Sequence, residues 1–283
     1  MKVRVGTRGS KLALLQAQSV VDKMRSVIPD IEEEIKVIKT SGDSQRAKIG
    51  SGIFVSEINR AVLCGKVDIG VHSLKDLPTR LPRNFLLACV PERLDPNDAL
   101  ISRDGANLYG LPKGSVIGTS SHRRKAEINH LRPDLRFKNI RGNIDTRIKK
   151  METGPYDGIV VAYAALERCG LKKLVAQRFE LDEVVPAAGQ GALAVVCRRD
   201  WTLLDKISQI NDETAWRETT CERIFMRKSR FGCKTSAGVV ARSKGEEMKL
   251  MVAVHRNGRK LLILEGKDPK DLGAKAAEMI KRS

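Results

Sequence analysis

A chain of 283 residues has room for two or three domains of ordinary size, and 41% hydrophobic residues supply a packed core, which sets disorder aside. Lysine and arginine number 52 against 34 acidic residues, a net +18 that points to polyanionic partners, either nucleic acid or an anionic small molecule. Aromatics at 4% are too few for a stacking platform on single strands, and Gln16, Gln18 and Asp22 break the N-terminal apolar run, which reads as neither signal segment nor membrane span.

Val3–Val5 reads as a strand, followed by the loop Gly6-Thr7-Arg8-Gly9-Ser10. A helix over Lys11–Val27 carries apolar positions at Leu12, Leu15, Val20, Met24 and Val27 and stops before Pro29. Glu34–Lys39 is a second strand, 41–51 a polar loop containing glycine, Phe54–Leu63 a helix and Asp68–His72 a third strand. That strand runs into Ser73-Leu74-Lys75-Asp76-Leu77-Pro78. A β-α-β-α-β order predicts a parallel sheet.

The grammar then repeats. Ser115–Ile117 is a strand, 118–121 a loop, His122–Leu131 a helix stopped by Pro133, and Leu135–Ile140 a strand. Arg141-Gly142-Asn143 is a turn, with Asn143 as N-cap of a helix over Ile144–Met151; Gly158–Ala162 is a strand and Ala164–Cys169 a helix. Val-Gly-Thr-Arg-Gly-Ser at the start is echoed by Ile-Gly-Thr-Ser-Ser at 117–121, so two similar α/β lobes are expected. Residues 186–191 form a connector, and Ala192–Val196 is a strand returning to the first lobe. The remainder follows another plan, with a helix over Asp212–Lys228, a loop at Phe231-Gly232-Cys233, strands Lys249–His255 and Lys260–Glu265 around an Asn257-Gly258 hairpin, and a closing helix over Asp271–Lys281. This predicts a small antiparallel α+β domain.

Ligands of open parallel sheets bind beyond the carboxyl ends of the strands. Arg8, Asp76, Ser120, Arg123, Arg124, Arg141 and Arg168 all fall just after predicted strands or in the next helix, and two lobes facing one another would gather them around one cleft. Arg123 and Arg124 stand in a first helical turn, where cations oppose the helix dipole, so an anion is expected beside them unless both point into solvent. Arg8 also reads as solvated and Ser10 as a plain helix cap. Asp76, beside cations, stays ionised and suits a developing positive charge, or else serves as a structural partner of these arginines. His72 reads as a packed strand residue. Of six cysteines, at 64, 89, 169, 197, 221 and 233, none forms CxxC or stands at zinc spacing to a histidine, and they read as reduced thiols of a cytoplasmic protein. Cys233, close to Arg227, Lys228, Arg230 and Lys234, favours thiolate or is an inert loop thiol; the other five read as core.

Gly6-Thr7-Arg8 with Ser10, Leu12, Ala13 and Gln16, Phe54-Val55 with Glu57, Val71-His72-Ser73 with Lys75-Asp76 and Pro78, Gly118-Thr119-Ser120-Ser121 with Arg123-Arg124, Arg141-Gly142-Asn143, Pro186-Ala187 with Gly189-Gln190-Gly191-Ala192-Leu193, and Gly232-Cys233 span nearly the whole chain. Their ordered set resembles the hydroxymethylbilane synthase, or porphobilinogen deaminase, family. The resemblance implies an α/β fold of two periplasmic-binding-protein-like parallel-sheet lobes plus a small C-terminal α+β domain. Lobe 1 would take 1–95 and 188–210, lobe 2 96–187, and the cofactor-attachment domain 211–283.

It implies a dipyrromethane cofactor, two linked pyrroles held by a thioether to Cys233, and no metal. It implies a monomer that deaminates porphobilinogen and joins four units head to tail into hydroxymethylbilane. Asp76 would be the catalytic group. Ser73, Lys75, Thr119, Ser120, Arg123, Arg124, Arg147 and Gln190 would hold the cofactor, and Arg8, Ser10, Arg141 and Arg168 the substrate. The chain departs from the family at Phe231, where Gly is usual, at Ser236, where Pro is usual, and at Ser51, where Lys is common. Phe231 is at odds with a positive φ, should the usual Gly adopt one. A non-catalytic anion receptor would explain the lobes and arginines but not the loop cysteine with a Lys-Asp pair. A nucleic-acid binder rests on charge alone, without a recognition motif.

Overall fold

The computed structural model describes residues 2–39, 56–231 and 236–282. In chain order they form β1 (Lys2–Thr7), α1 (Lys11–Val27), β2 (Glu32–Val37), α2 (Ser56–Leu63), β3 (Ile69–Ser73), β4 (Phe85–Cys89), β5 (Asp98–Ser102), β6 (Val116–Gly118), α3 (His122–Leu131) and β7 (Arg136–Lys138). There follow α4 (Ile144–Thr153), β8 (Gly158–Ala162), α5 (Tyr163–Arg168), β9 (Gln177–Arg178), β10 (Leu193–Arg198), α6 (Leu204–Ser208), α7 (Glu213–Ser229), β11 (Ala237–Lys244), β12 (Glu247–His255), β13 (Arg259–Gly266) and α8 (Pro269–Arg282). The chain divides into one unit of Met1–Leu94 with Ala192–Thr219 and a second of Asp95–Gly191 with Thr220–Ser283.

The first unit holds a sheet of order β2-β1-β3-β10-β4. β1, β2 and β3 are parallel, whereas β10 runs antiparallel to both β3 and β4. The parallel sheet expected from the sequence is thus its βαβαβ half. β10 is reached only after the whole of 90–192 and adds to that half in the antiparallel sense. The second unit repeats the plan with order β7-β6-β8-β5-β9, where β6, β7 and β8 are parallel and β5 is antiparallel to β8 and β9. β4, β5, β9 and β11 carried no prediction: β5 is buried throughout, β4 has its half-buried Leu86 and Leu87 side by side and so does not alternate, and β9 is two residues long.

The echo between Gly6 and Gly118 has a structural cause. Gly6 faces Lys36 of β2 and Gly70 of β3, and Gly118 faces Lys138 of β7 and Ile159 of β8, the same place in each sheet. A Cβ on Gly6 would lie 2.9 Å from Val67 Cγ2, and one on Gly118 2.9 Å from Ile159 Cγ2, so neither site has room for a side chain. After each comes a serine cap: Ser10 Oγ accepts from Ala13 N–H at 3.3 Å, Ser121 Oγ from Arg124 N–H at 3.4 Å.

α1 spans the residues expected of it but buries a different stripe: Ala13, Gln16, Ala17, Val20, Val21 and Met24 face the sheet, while Leu14 and Leu15 are exposed. Alanines at 13 and 17 let the helix lie close against β1 and β3, and the leucines fall outside the 3.6-residue phase set by Val20 and Met24. The core of this sheet face joins Val3, Val5, Ile69, Val71, Val195 and Trp201 to the helix.

The third sheet, β11-β12-β13, is antiparallel throughout, and α7 and α8 cover one face through Cys221, Phe225, Leu272 and Ala276. Gly273 lets α8 reach α7: a Cβ there would meet the Cys221 carbonyl at 2.4 Å. At the end of α7 the positive φ (57°) belongs to Arg230, not Phe231. The Phe231 ring instead packs edge-on against Phe225, with centroids 5.9 Å apart, so the departure from Gly is absorbed by the core.

Candidate active-site residues

Within the first unit the residues singled out by sequence lie at strand ends. Arg8 follows β1 and is half-buried; Ser10 caps α1. Ser73 closes β3, its Oγ accepting from Gln16 Nε2 at 2.9 Å. A 3₁₀ turn over Leu74–Asp76 follows, closed by Leu77 N–H to Leu74 O at 3.1 Å. Leu74 and Leu77 are buried, so the turn is pinned at both ends and Lys75 and Asp76 between them are exposed. His72 is a packed strand residue as read: its Nε2 donates to Asn59 Oδ1 at 3.1 Å, and burial pushes its pKa down to about 3.

Within the second unit Thr119 is buried and its Oγ1 accepts from Ser121 N–H at 3.2 Å, while Ser120 Oγ donates to the Ile140 carbonyl at 2.9 Å. Arg141 is exposed. Gly142 has φ +121°, and a Cβ there would strike Thr146 at 2.7 Å. Asn143 caps α4 as read, accepting from Thr146 N–H at 2.9 Å, and Arg147 Nε donates to the Gly142 carbonyl at 2.8 Å. Arg168 donates to the Gly191 carbonyl at 2.9 Å, and burial lowers its pKa to about 10, still fully cationic at neutral pH.

The anion expected beside Arg123 and Arg124 is present, and the chain supplies it. Asp98, the first residue of β5, is 0% exposed. Its Oδ2 lies 2.7 Å from Arg123 Nη1 and its Oδ1 2.8 Å from Arg124 Nη2. Arg124 Nε also donates to Oδ1 at 3.0 Å, as does Gln190 Nε2 at 3.0 Å. Gln190 Nε2 further donates to the Pro96 carbonyl at 2.6 Å, and its Oε1 accepts from Arg124 at 3.3 Å. The arginines hold the Asp98 carboxyl far below the usual carboxylate range despite its burial. Two guanidinium groups against one carboxylate leave an excess positive charge, and the buried Arg123 Nε has no hydrogen-bond partner among the described residues. Neither arginine points freely into solvent. Asp98 itself escaped the sequence reading. A lone charge heading the apolar run Ala99-Leu100-Ile101 was its signal.

One turn along α3 the wholly buried Glu127 meets Arg259 Nε at 2.8 Å and His255 Nε2 at 3.2 Å, both from the β12–β13 hairpin. The 186–191 connector is fixed by Glu222, which accepts from Gly189 N–H at 2.6 Å and Ala241 N–H at 2.9 Å. Gly232 and Cys233 lie outside the described residues, as do 41–51 and Ser51. Among the other thiols, burial pushes Cys89 and Cys221 up to about 12 and Cys197 to about 11, which keeps them protonated. Two are not core residues as expected: Cys64 is exposed and Cys169 half-buried. No helix among the described residues is long and apolar enough to cross a membrane.

Residues 3–206 match the family model described as porphobilinogen deaminase, dipyromethane cofactor binding domain. The porphobilinogen deaminase of Bacillus velezensis is 42% identical over 98% of this chain and 92% of its own length. A probable porphobilinogen deaminase of Pyrobaculum neutrophilum is 41% identical over 99% and 98%. Among solved structures, the methionine binding protein MetQ aligns with a TM-score of 0.47 at 12% identity, covering 76% of this chain and 92% of that one. Near-complete coverage at such identity leaves no segment of the described site outside the match, and the chain belongs to the porphobilinogen deaminase family.

Proposed function

We infer that the chain is a hydroxymethylbilane synthase, a transferase of porphyrin biosynthesis that deaminates four porphobilinogen units in turn and joins them head to tail on a dipyrromethane cofactor. The observation that carries this reading is 42% identity over 98% of the chain to a porphobilinogen deaminase, joined to a buried cationic cluster at the strand ends. The described residues fit the cofactor's chemistry: its pyrroles bear carboxylate side chains, and the Arg123–Arg124 cluster keeps an excess positive charge and an Nε–H with no partner among the described residues. Bound, the cofactor supplies the free pyrrole carbon to which units are added.

Cys233 is the attachment point, through a thioether. Arg123, Arg124, Arg147, Lys75, Thr119, Ser120, Ser73 and Gln190 hold its side chains, and Arg8, Ser10, Arg141 and Arg168 those of the incoming substrate. Loss of ammonia from porphobilinogen leaves a cation delocalised over its pyrrole. Asp76, on its pinned turn, accepts the pyrrole N–H, stabilises that cation and assists proton transfer. Lobe 1 is 1–95 with 188–210, lobe 2 is 96–187, and 211–283 is the attachment domain. The protein works as a cytoplasmic monomer without nucleic-acid or membrane partners; substrate carboxylates account for its need of arginine.

Intact-protein mass spectrometry tests the reading. The expected result is a covalent excess of two pyrrole units, absent in Cys233→Ser; a fully active chain of unmodified mass would overturn it. Asp76→Ala should lower turnover of porphobilinogen by roughly 10²–10⁴-fold.

A further inference from the structure

Three of the residues assigned to the cofactor, Arg123, Arg124 and Gln190, converge on one carboxylate that the assignment does not contain. We propose that Asp98 is a positioning residue, a buried counter-ion that aims the two guanidinium groups and the Gln190 amide at a carboxylate of the bound cofactor. The proposal rests on the reading that Arg123 and Arg124 hold that cofactor.

The fold itself does not require the ionic cluster. In the first unit Leu193 opens β10 opposite Ser73, the last residue of β3, as Asp98 opens β5 opposite Ala162, the last residue of β8. Counting from the caps Ser10 and Ser121, Leu12 and Ala13 stand where Arg123 and Arg124 stand. One sheet therefore builds this corner from three apolar residues and the other from three charged ones. Buried ion pairs are commonly no more stabilising than apolar residues of similar size, so stability gives no reason for the charged version.

Geometry supplies one. Adjacent guanidinium groups in a first helical turn repel one another and oppose the helix dipole. Asp98 holds them together through separate oxygens, Oδ2 for Arg123 and Oδ1 for Arg124. Gln190 in turn holds Oδ1 while anchored to the Pro96 carbonyl. Because one carboxylate faces two cations, the pair is oriented without being neutralised, and a ligand carboxylate retains a partner. Preorganisation of this kind lowers the cost of binding.

The test is the fraction of folded, soluble chains that carry the two-pyrrole mass excess. Asp98→Asn keeps the shape but removes the charge and replaces one accepting oxygen with an NH2 donor that faces a guanidinium, and should lower that fraction about tenfold, as loss of an orienting partner does elsewhere. Asp68→Asn breaks the Arg4–Asp68 ion pair of the first unit and serves as a destabilised control that should load fully. Loading of Asp98→Asn equal to that control would overturn the proposal. If Asp98→Asn does not fold, Asp98→Glu, which moves the charge by one methylene, is judged by the same measurement, with wild-type loading again overturning it. Arg124→Met separates the two readings: full loading there would remove the arginine clamp itself, whereas loss in Arg124→Met with full loading in Asp98→Asn would sink only the role of Asp98.

Discussion

The sheet β2-β1-β3-β10-β4 and the sheet β7-β6-β8-β5-β9 are one design executed with opposite polarity. At matched positions the first has Leu12, Ala13 and Leu193 where the second has Arg123, Arg124 and Asp98. Further along the same helices, Gln16 in α1 bonds Ser73, while Glu127 in α3 bonds Arg259. The trade reverses elsewhere. His72 in β3 stands where β8 has Val161, and the exposed Lys75 and Asp76 stand where α5 has Ala164 and Ala165. A repeated scaffold thus separates what the fold needs from what chemistry needs: shared features, such as Gly6 with Gly118 and Ser10 with Ser121, are architectural, and the differences mark function.

The largest expected effect comes from erasing the contrast. The triple variant Asp98→Leu, Arg123→Leu, Arg124→Ala installs the first unit's solution in the second. It should unfold cooperatively, with stability unchanged or raised by about 1–4 kcal/mol, yet carry no two-pyrrole mass excess. Calorimetry and intact mass read the two outcomes separately, and a loaded triple variant would show that the charges are dispensable. Next is Arg259→Met, which leaves the buried Glu127 with His255 as its remaining ionic partner among the described residues. Stability should fall by about 3–5 kcal/mol. Adding Glu127→Gln, the residue type α1 carries at that place, should recover most of the loss, and a double-mutant cycle in denaturant measures the coupling. Strict additivity would mean that the two side chains do not interact.

The repeated strand–loop–helix grammar was legible because it rests on local signals: glycines where strands close in, serine and asparagine caps, and 3.6-residue periodicity. α3 and β8 match their predicted bounds for that reason. Strand β5 was not legible, since a strand buried on both faces loses the alternation that reveals a strand, and β4 shows none either, with half-buried Leu86 and Leu87 adjacent. The candidate site was half legible. Arg123 and Arg124 announced a nearby anion, but the partner lay across the sheet in β5, 26 residues away in the chain. No local pattern encodes that pairing; it follows from the antiparallel register of β5 on β8, which is a property of the folded sheet. Phe231 shows the converse. Its conflict with a positive φ rests on the Gly that the family usually has at this position, and here the backbone places that conformation at Arg230.

The smallest expected effect concerns His72. Burial lowers its folded pKa to about 3 from an unperturbed 6.5, so the unfolded chain takes up a proton as pH falls below that value and the folded chain does not. Stability from the neutral imidazole is therefore complete above the unfolded pKa. It declines as pH falls, by about 1.4 kcal/mol per pH unit, until the folded group also titrates. His72→Val copies Val161 of the second sheet and removes this dependence. Between about pH 7 and about pH 5 the wild-type chain should lose roughly 2 kcal/mol more than the variant in denaturant unfolding. Asn59 loses its partner at every pH, so any offset common to both conditions belongs to that hydrogen bond, and only the difference in slope reports the histidine. Equal slopes would place the His72 pKa near its unfolded value and make the imidazole as indifferent to proton uptake as the valine that replaces it in β8.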